Sequence, residues 1–290
     1  MSERIVQDGQ LELWTESFGA AADPAVLLIM GAESQGTAWP LPLIDELRKA
    51  GRRVLRYDHR DVGQSTVFDF RQNPYDLDEL AADAVTVLDA WEIEKAHVVG
   101  ASMGGMITQL LLARHPHRLH SATLVMSTPL AGDLSDAGSL LIDDPSLPAS
   151  PLMRAMAAAP PQPVPTERET YARERVELFA GLSDPEQVDT DLLRRMFEME
   201  FDRARDIRSK ANHGLAIAAS EPKDRRALLA SVTTPTTVVH GEKDPILPID
   251  HGLALAQAIP GAEMRRVDGM AHDLPPQSWP HLVAGVRDRG

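Results

Sequence analysis

Along most of this chain, short strand-forming runs alternate with longer runs of helical period, and that rhythm limits the fold more than any other feature. Residues 25–30, Ala-Val-Leu-Leu-Ile-Met, are apolar without a break and stop at Gly31. A strand reads this way when both of its faces are covered. Further strand-forming runs stand at 54–57, 96–99, 122–126, 237–239 and 263–267, while 11–14 alternates as an early antiparallel strand would. Between them lie helical patterns at 41–50 (closed by Gly51), 75–91, 106–114, 248–259 and 278–287. The 75–91 pattern places Leu77, Leu80, Ala81, Ala84, Val85 and Leu88 on one face, with acids in its first turn, where the helix dipole favours them. Strand and helix in turn predict an α/β fold. The sheet should be mostly parallel and twisted, with helices on both faces and right-handed crossovers.

The rhythm breaks between 128 and 221. This stretch is rich in proline (145, 148, 151, 160, 161, 163 and 165) and then turns helical. Thr166-Glu167-Arg168-Glu169 spells a capping box ahead of a helix running toward Leu182. Two more helices are expected at 191–203 and 207–220, with no strand signal. Because the strand–helix alternation resumes afterwards, residues 128–221 are expected to form a helical cap inserted into one core made of 1–127 and 222–290. A length of 290 residues suits one large domain with such an insertion.

Composition removes several functions. The chain has no cysteine, which excludes disulfides, a thiolate nucleophile and cysteine-ligated metal centres. A net charge of −14 argues against nucleic acid or an anionic membrane as partner, since phosphate binding needs clustered lysine and arginine. The opening Met1-Ser2-Glu3-Arg4-Ile5 lacks the apolar run of a signal peptide, so a cytoplasmic protein is expected, as a monomer or homodimer.

The chemistry starts at Gly100-Ala101-Ser102-Met103-Gly104, a G-x-S-x-G pattern between the 96–99 strand and the helix that follows. A serine on a sharp strand-to-helix turn is forced into a strained backbone conformation, so the residues two away must be small. The turn lifts the hydroxyl above the sheet and aims the helix N-terminus at developing negative charge. A glycine-rich turn carrying a solvated serine is the plainer alternative, disfavoured by the flanking elements.

A serine hydroxyl is a poor nucleophile without a base. Of ten histidines, His97 falls within a strand and reads as buried structure, while His115, His117 and His120 cluster at a helix end. His272 lies in the loop after the 263–267 strand, at the carboxyl edge where open α/β sheets gather their ligands and catalytic groups. The acid belongs between serine and histidine in chain order. Asp244, in Gly241-Glu242-Lys243-Asp244-Pro245 after the 237–240 strand, fits that place; Glu242 and Asp133 are its competitors. A carboxylate there would fix the imidazole tautomer and stabilise the imidazolium. Two backbone N–H groups should hold the oxyanion: that of Met103, and one from the loop after residue 30, where Ala32 is preferred to Gly31. The crowded loop Asp58-His59-Arg60-Asp61-Val62-Gly63-Gln64-Ser65 reads as a structural turn held by Arg60–carboxylate contacts rather than as a metal site.

With these residues placed, the chain resembles the α/β-hydrolase fold family over nearly its whole length. Ser102, Asp244 and His272 match the family's triad positions, and Met103 and Ala32 its oxyanion positions. Residues 58–65 resemble the family's D-x-R-G-x-G-x-S loop, with Asp61 replacing a glycine. Met30-Gly31 stands where many members carry His-Gly. The N-terminal half, in Arg56-Tyr57-Asp58-His59-Arg60-Asp61 and Ala96-His97-Val98-Val99-Gly100, is similar to the aclacinomycin-type methyl esterases of polyketide biosynthesis. The resemblance implies a serine carboxylic ester hydrolase that needs no metal or organic cofactor and acts on a small or medium apolar ester. The alternatives are a lactonase, a carbon–carbon bond hydrolase or a cofactor-free perhydrolase on the same triad, or a non-catalytic binding member of the fold. The cap would supply the pocket, with Gly31, Met153, Met156, Met196, Phe197 and Met199 as candidate lining; methionine suits adaptable apolar surfaces.

Overall fold

The computed structural model describes residues 1–132, 144–159, 163–186 and 188–286. The chain opens with a hairpin of β1 (Ser2–Asp8) and β2 (Leu11–Phe18), followed by β3 (Ala25–Ile29), α1 (Leu41–Lys49), β4 (Arg53–Tyr57), α2 (Leu77–Ala90), β5 (Ala96–Ala101), α3 (Met103–Arg114) and β6 (Leu119–Val125). Four helices come next: α4 (Pro151–Ala158), α5 (Arg168–Leu182), α6 (Thr190–Arg203) and α7 (Asn212–Ala219). The short α8 (Arg226–Leu229), β7 (Thr236–Gly241), α9 (Ile249–Ala258), β8 (Glu263–Val267) and α10 (Trp279–Gly285) complete it.

Among the described residues the strands make one eight-stranded sheet in the order β1-β2-β4-β3-β5-β6-β7-β8. The six strands from β4 to β8 pair in parallel, and β2 joins β4 antiparallel, so the predicted α/β class is the observed one. Successive residues of a strand face opposite sides. In β3, Leu27 and Ile29 join a core shared with α2, α3 and α9, while Val26 and Leu28 join a second core under α1 and α10. Both faces of the sheet are covered, which is why residues 25–30 carry no polar interruption. The chain runs from β3 to β4 on one side and then returns past β3 to β5, so the order reverses between β3 and β5. Such a switch opens a crevice at the carboxyl ends of those two strands.

Helix ends follow local chemistry. Asp76 caps α2 by accepting the Asp78 N–H, and Glu79 reaches back to the Asp76 N–H, a capping box. The helix therefore starts at Leu77, two residues later than its apolar pattern. The box expected at Thr166 does not form. Its helix begins one residue further on, with Glu167 as N-cap, which leaves Thr166 too early to reach the first-turn N–H groups. The expected helix at 207–220 divides into a 3₁₀ turn, Ser209–Ala211, and α7. Strand β1 gave no sequence signal, because it is an edge strand with only Val6 buried. Pro160, Pro161 and Arg287 lie outside the described residues.

Helices α5 and α6 pack on each other around Tyr171, Ala172, Val176 and Phe197. In the chain they fall between β6 and β7, which pair directly, so the sheet continues across the helical stretch. No helix among the described residues is long and apolar enough to cross a membrane.

Candidate active site

Ser102 stands between β5 and α3 at φ 53° and ψ −117°, a backbone conformation that L residues avoid. Neighbouring chain holds it there. The Ser102 N–H donates to Val125 O at 2.9 Å, and the Ser102 carbonyl accepts from the Gly105 N–H and from Ser127 Oγ, each at 2.9 Å. The turn is tight enough to need its glycines. A Cβ on Gly100 would lie 2.2 Å from the Gly104 carbonyl oxygen, and one on Gly104 would lie 2.1 Å from the Ile29 carbonyl oxygen.

His272 follows β8 on the loop that starts at Asp268, and its N–H donates to Leu182 O, at the end of α5, at 2.9 Å. Its ring joins two partners that are distant in sequence. Nε2 lies 3.1 Å from Ser102 Oγ, and Nδ1 lies 2.8 Å from Asp244 Oδ2. Asp244 leaves β7 and turns back, because its Oδ1 accepts the Ile246 and Leu247 N–H groups at 2.9 and 2.8 Å. The carboxylate is thus fixed on one oxygen and offers the other to the imidazole. Its carboxylate bond fixes the proton on Nδ1, and Nε2 then faces the serine hydroxyl as an acceptor.

The electrostatics match this arrangement. Burial pushes the His272 pKa down, but the Asp244 charge and hydrogen bond outweigh it and hold it above the ordinary 6.5. Burial would raise Asp244, and the charge and hydrogen bond of His272 instead keep it below the usual carboxylate value. Behind the carboxylate, the buried His240 donates from Nε2 to Leu247 O at 2.7 Å, and burial lowers its pKa, so it is a neutral wall rather than a second cation.

The other expected positions fall as follows. Met103 is buried at the first turn of α3, directly after the serine. Gly31 abuts the nucleophile: a Cβ there would lie 3.2 Å from Ser102 Cβ and 3.8 Å from its Oγ. Ala32 is the next residue and partly buried. Among the described residues neither the Ala32 nor the Met103 N–H is engaged by a backbone or side-chain acceptor. Glu242 pairs with Arg266 at 2.9 Å on the surface instead of with His272, and Asp133 lies outside the described residues. In the 58–65 loop Arg60 forks onto Asp83, with Nε at 2.8 Å, as the structural reading of that loop expects. The five cap candidates are scattered. Phe197 is fully buried between α5 and α6 against Phe179, and Met196 is partly buried against the same cluster. Met153 is half-buried, while Met156 and Met199 are exposed at 38% and 42%.

Sequence reasoning missed a second layer of contacts. His213, at the start of α7, accepts the Glu33 N–H on Nδ1 at 2.9 Å. The Glu33 carboxylate, beside Ala32, meets Arg175 of α5 at 3.2 Å. Nothing in the local sequence of α5 or α7 signals these contacts, which join segments 142 and 180 residues apart.

A parallel sheet with a reversal at β3/β5, a strained serine elbow and an imidazole–carboxylate pair at the same edge define a hydrolase of the α/β type. A family model described as alpha/beta hydrolase fold matches residues 24–277, and the chain belongs to that family. Rhodomycin D methylesterases from Streptomyces sp. (strain C5) and from Streptomyces peucetius are each 36% identical to it, over 99% of this chain and 97% of theirs. Among solved structures, the esterase RhEst1 from Rhodococcus sp. ECU1013 superposes with a TM-score of 0.77 at 20% identity, over 99% of this chain and 98% of its own; that likeness concerns the fold.

Proposed function

We propose that the protein is a serine carboxylic ester hydrolase whose substrate is the methyl ester of a polyketide-like compound. The observation that carries the reading is the relay from Ser102 Oγ to His272 Nε2 at 3.1 Å and from His272 Nδ1 to Asp244 Oδ2 at 2.8 Å. The methylesterase names of the relatives at 36% identity favour the methyl ester.

The chemistry follows from the geometry. Ser102 Oγ attacks the ester carbonyl carbon while His272 Nε2 takes its proton. The charge that develops on the carbonyl oxygen is met by the N–H groups of Met103 and Ala32. The imidazolium, stabilised by Asp244, returns the proton to the leaving methoxy oxygen, and methanol departs. Water, deprotonated by the same nitrogen, attacks the acyl-enzyme and releases the acid. Residues 128–221 act as a cap over this edge and supply the acyl-binding wall, tied to the loops by the Leu182–His272 and Arg175–Glu33 contacts.

Ser102→Ala tests the proposal. Hydrolysis of short p-nitrophenyl esters and release of methanol from a polyketide methyl ester should both vanish, with the urea-unfolding midpoint unchanged. Turnover by that variant would overturn the assignment.

A further inference from the structure

A backbone N–H can hold an oxyanion only if its peptide plane is kept from turning. The Ala32 N–H belongs to the Gly31–Ala32 peptide, and Gly31 has no side chain to resist rotation. The structure instead fixes the peptides on either side. Ahead of it, the Met30 carbonyl accepts from His59 Nε2 at 3.1 Å. Behind it, the Glu33 N–H donates to His213 Nδ1 at 2.9 Å, and His213 Nε2 donates to the Arg60 carbonyl at 2.9 Å. These partners place a proton on Nε2 of each ring, and the Glu33 N–H leaves Nδ1 of His213 without one. The two imidazoles are fully buried and meet edge to face, with centroids 5.7 Å apart and planes at 89°. Burial also pushes the pKa of His59 down to about 3 and lowers that of His213, so neither ring gains a proton near neutrality. Glu33 sits at φ 62°, in the left-handed region, where a non-glycine residue stays only if held.

We infer that His213, with His59 packed against it, is a positioning residue for the oxyanion loop: the two rings clamp the peptides flanking Gly31–Ala32 and so aim the Ala32 N–H at the acyl oxygen on Ser102. Neither ring touches the reacting atoms. His213 comes from α7, within the helical stretch between β6 and β7, so one wall of the oxyanion site is set from there. The inference rests on the ester-hydrolase reading above.

The test sets His213→Asn against His213→Leu. An asparagine amide oxygen can take the place of Nδ1 and accept the Glu33 N–H, whereas leucine fills similar space without an acceptor. His213→Leu should lower kcat on p-nitrophenyl acetate about 10- to 100-fold with KM within about twofold, since only the transition state carries the oxyanion. Affinity for a trifluoromethyl ketone, which forms an oxyanion on the serine, should fall by the same factor. His213→Asn should recover most of both. Unchanged kcat in His213→Leu, an unmoved ketone affinity, or no recovery in His213→Asn would each overturn the inference. Should His213→Leu fail to fold, His59→Gln against His59→Leu reads the Met30 side, the glutamine amide supplying the lost donor. If wild-type protein hydrolyses no ester, the functional reading fails separately. A crystal structure of whichever leucine variant folds then decides the positioning role: a rotated Gly31–Ala32 peptide supports it and an unmoved one overturns it.

Discussion

Asp244→Asn isolates what the carboxylate does. The substituted side chain has nearly the same shape, and its Oδ1 can still accept the Ile246 and Leu247 N–H groups that hold the aspartate at 2.9 and 2.8 Å. That leaves an NH₂ group where Oδ2 now lies, 2.8 Å from His272 Nδ1. Two donors cannot face each other, so the imidazole must move its proton to Nε2. That nitrogen, 3.1 Å from Ser102 Oγ, then offers a proton to the hydroxyl instead of accepting one. The wrong tautomer should cost about 10⁴-fold in kcat, or roughly 5 kcal/mol of transition-state stabilisation. The pH profile gives an independent reading. The base works only when neutral, and Asp244 helps to hold the His272 pKa above 6.5, so wild-type activity should fall as pH drops through a midpoint above that value. Removing the charge should move the residual acid limb to lower pH. The assay is kcat and kcat/KM on p-nitrophenyl acetate across pH 5.5–9, with unfolding checked in urea. A variant within tenfold of wild type at pH 8, or one with an unshifted acid limb, would refute this account of the carboxylate.

Two further substitutions test the frame that carries the site. Arg60 and Asp83 form a bidentate pair in which the aspartate side chain is only 3% exposed, so Asp83→Asn should cost about 3–5 kcal/mol in urea unfolding by leaving a guanidinium without its counter-charge; a loss under about 1 kcal/mol would show that water reaches the pair. Gly104→Ala would press a methyl group to 2.1 Å from Ile29 O, so stability should fall by about 1–3 kcal/mol and kcat should fall with it, because the displaced backbone leads into the Gly31–Ala32 loop; wild-type unfolding and kinetics together would contradict that close approach.

How far the sequence disclosed this protein depended on whether a signal was local. The sheet was legible because double-sided burial leaves an unmistakable run such as 25–30. Strand β1 was not, since an exposed edge needs no apolar pattern. Ser102 was found because its turn demands small neighbours, and Asp244 and His272 because each follows a strand in a fixed chain order; the structure brings these three side chains together. Their roles remain the proposal made above. Phe197 shows the opposite case. Its apolar character fitted a pocket wall equally well, and only packing against Tyr171 and Val176 places it in the core between α5 and α6. His213 was illegible because its meaning lies in a carbonyl and an N–H more than 150 residues away.

The hydroxyl, the imidazole and the carboxylate follow β5, β8 and β7, and Ala32 follows β3, so the site draws on four separate strands of one sheet. β6 lies between two of them and gives the site none of those groups, yet its Val125 carbonyl anchors the serine turn. Asp244 and His272 lie 28 residues apart, but Ser102 stands 170 residues from His272, so no short fragment of the chain brings the hydroxyl to its base. Turnover should therefore behave as a gauge of complete assembly, appearing during refolding with the last strand to dock rather than in stages.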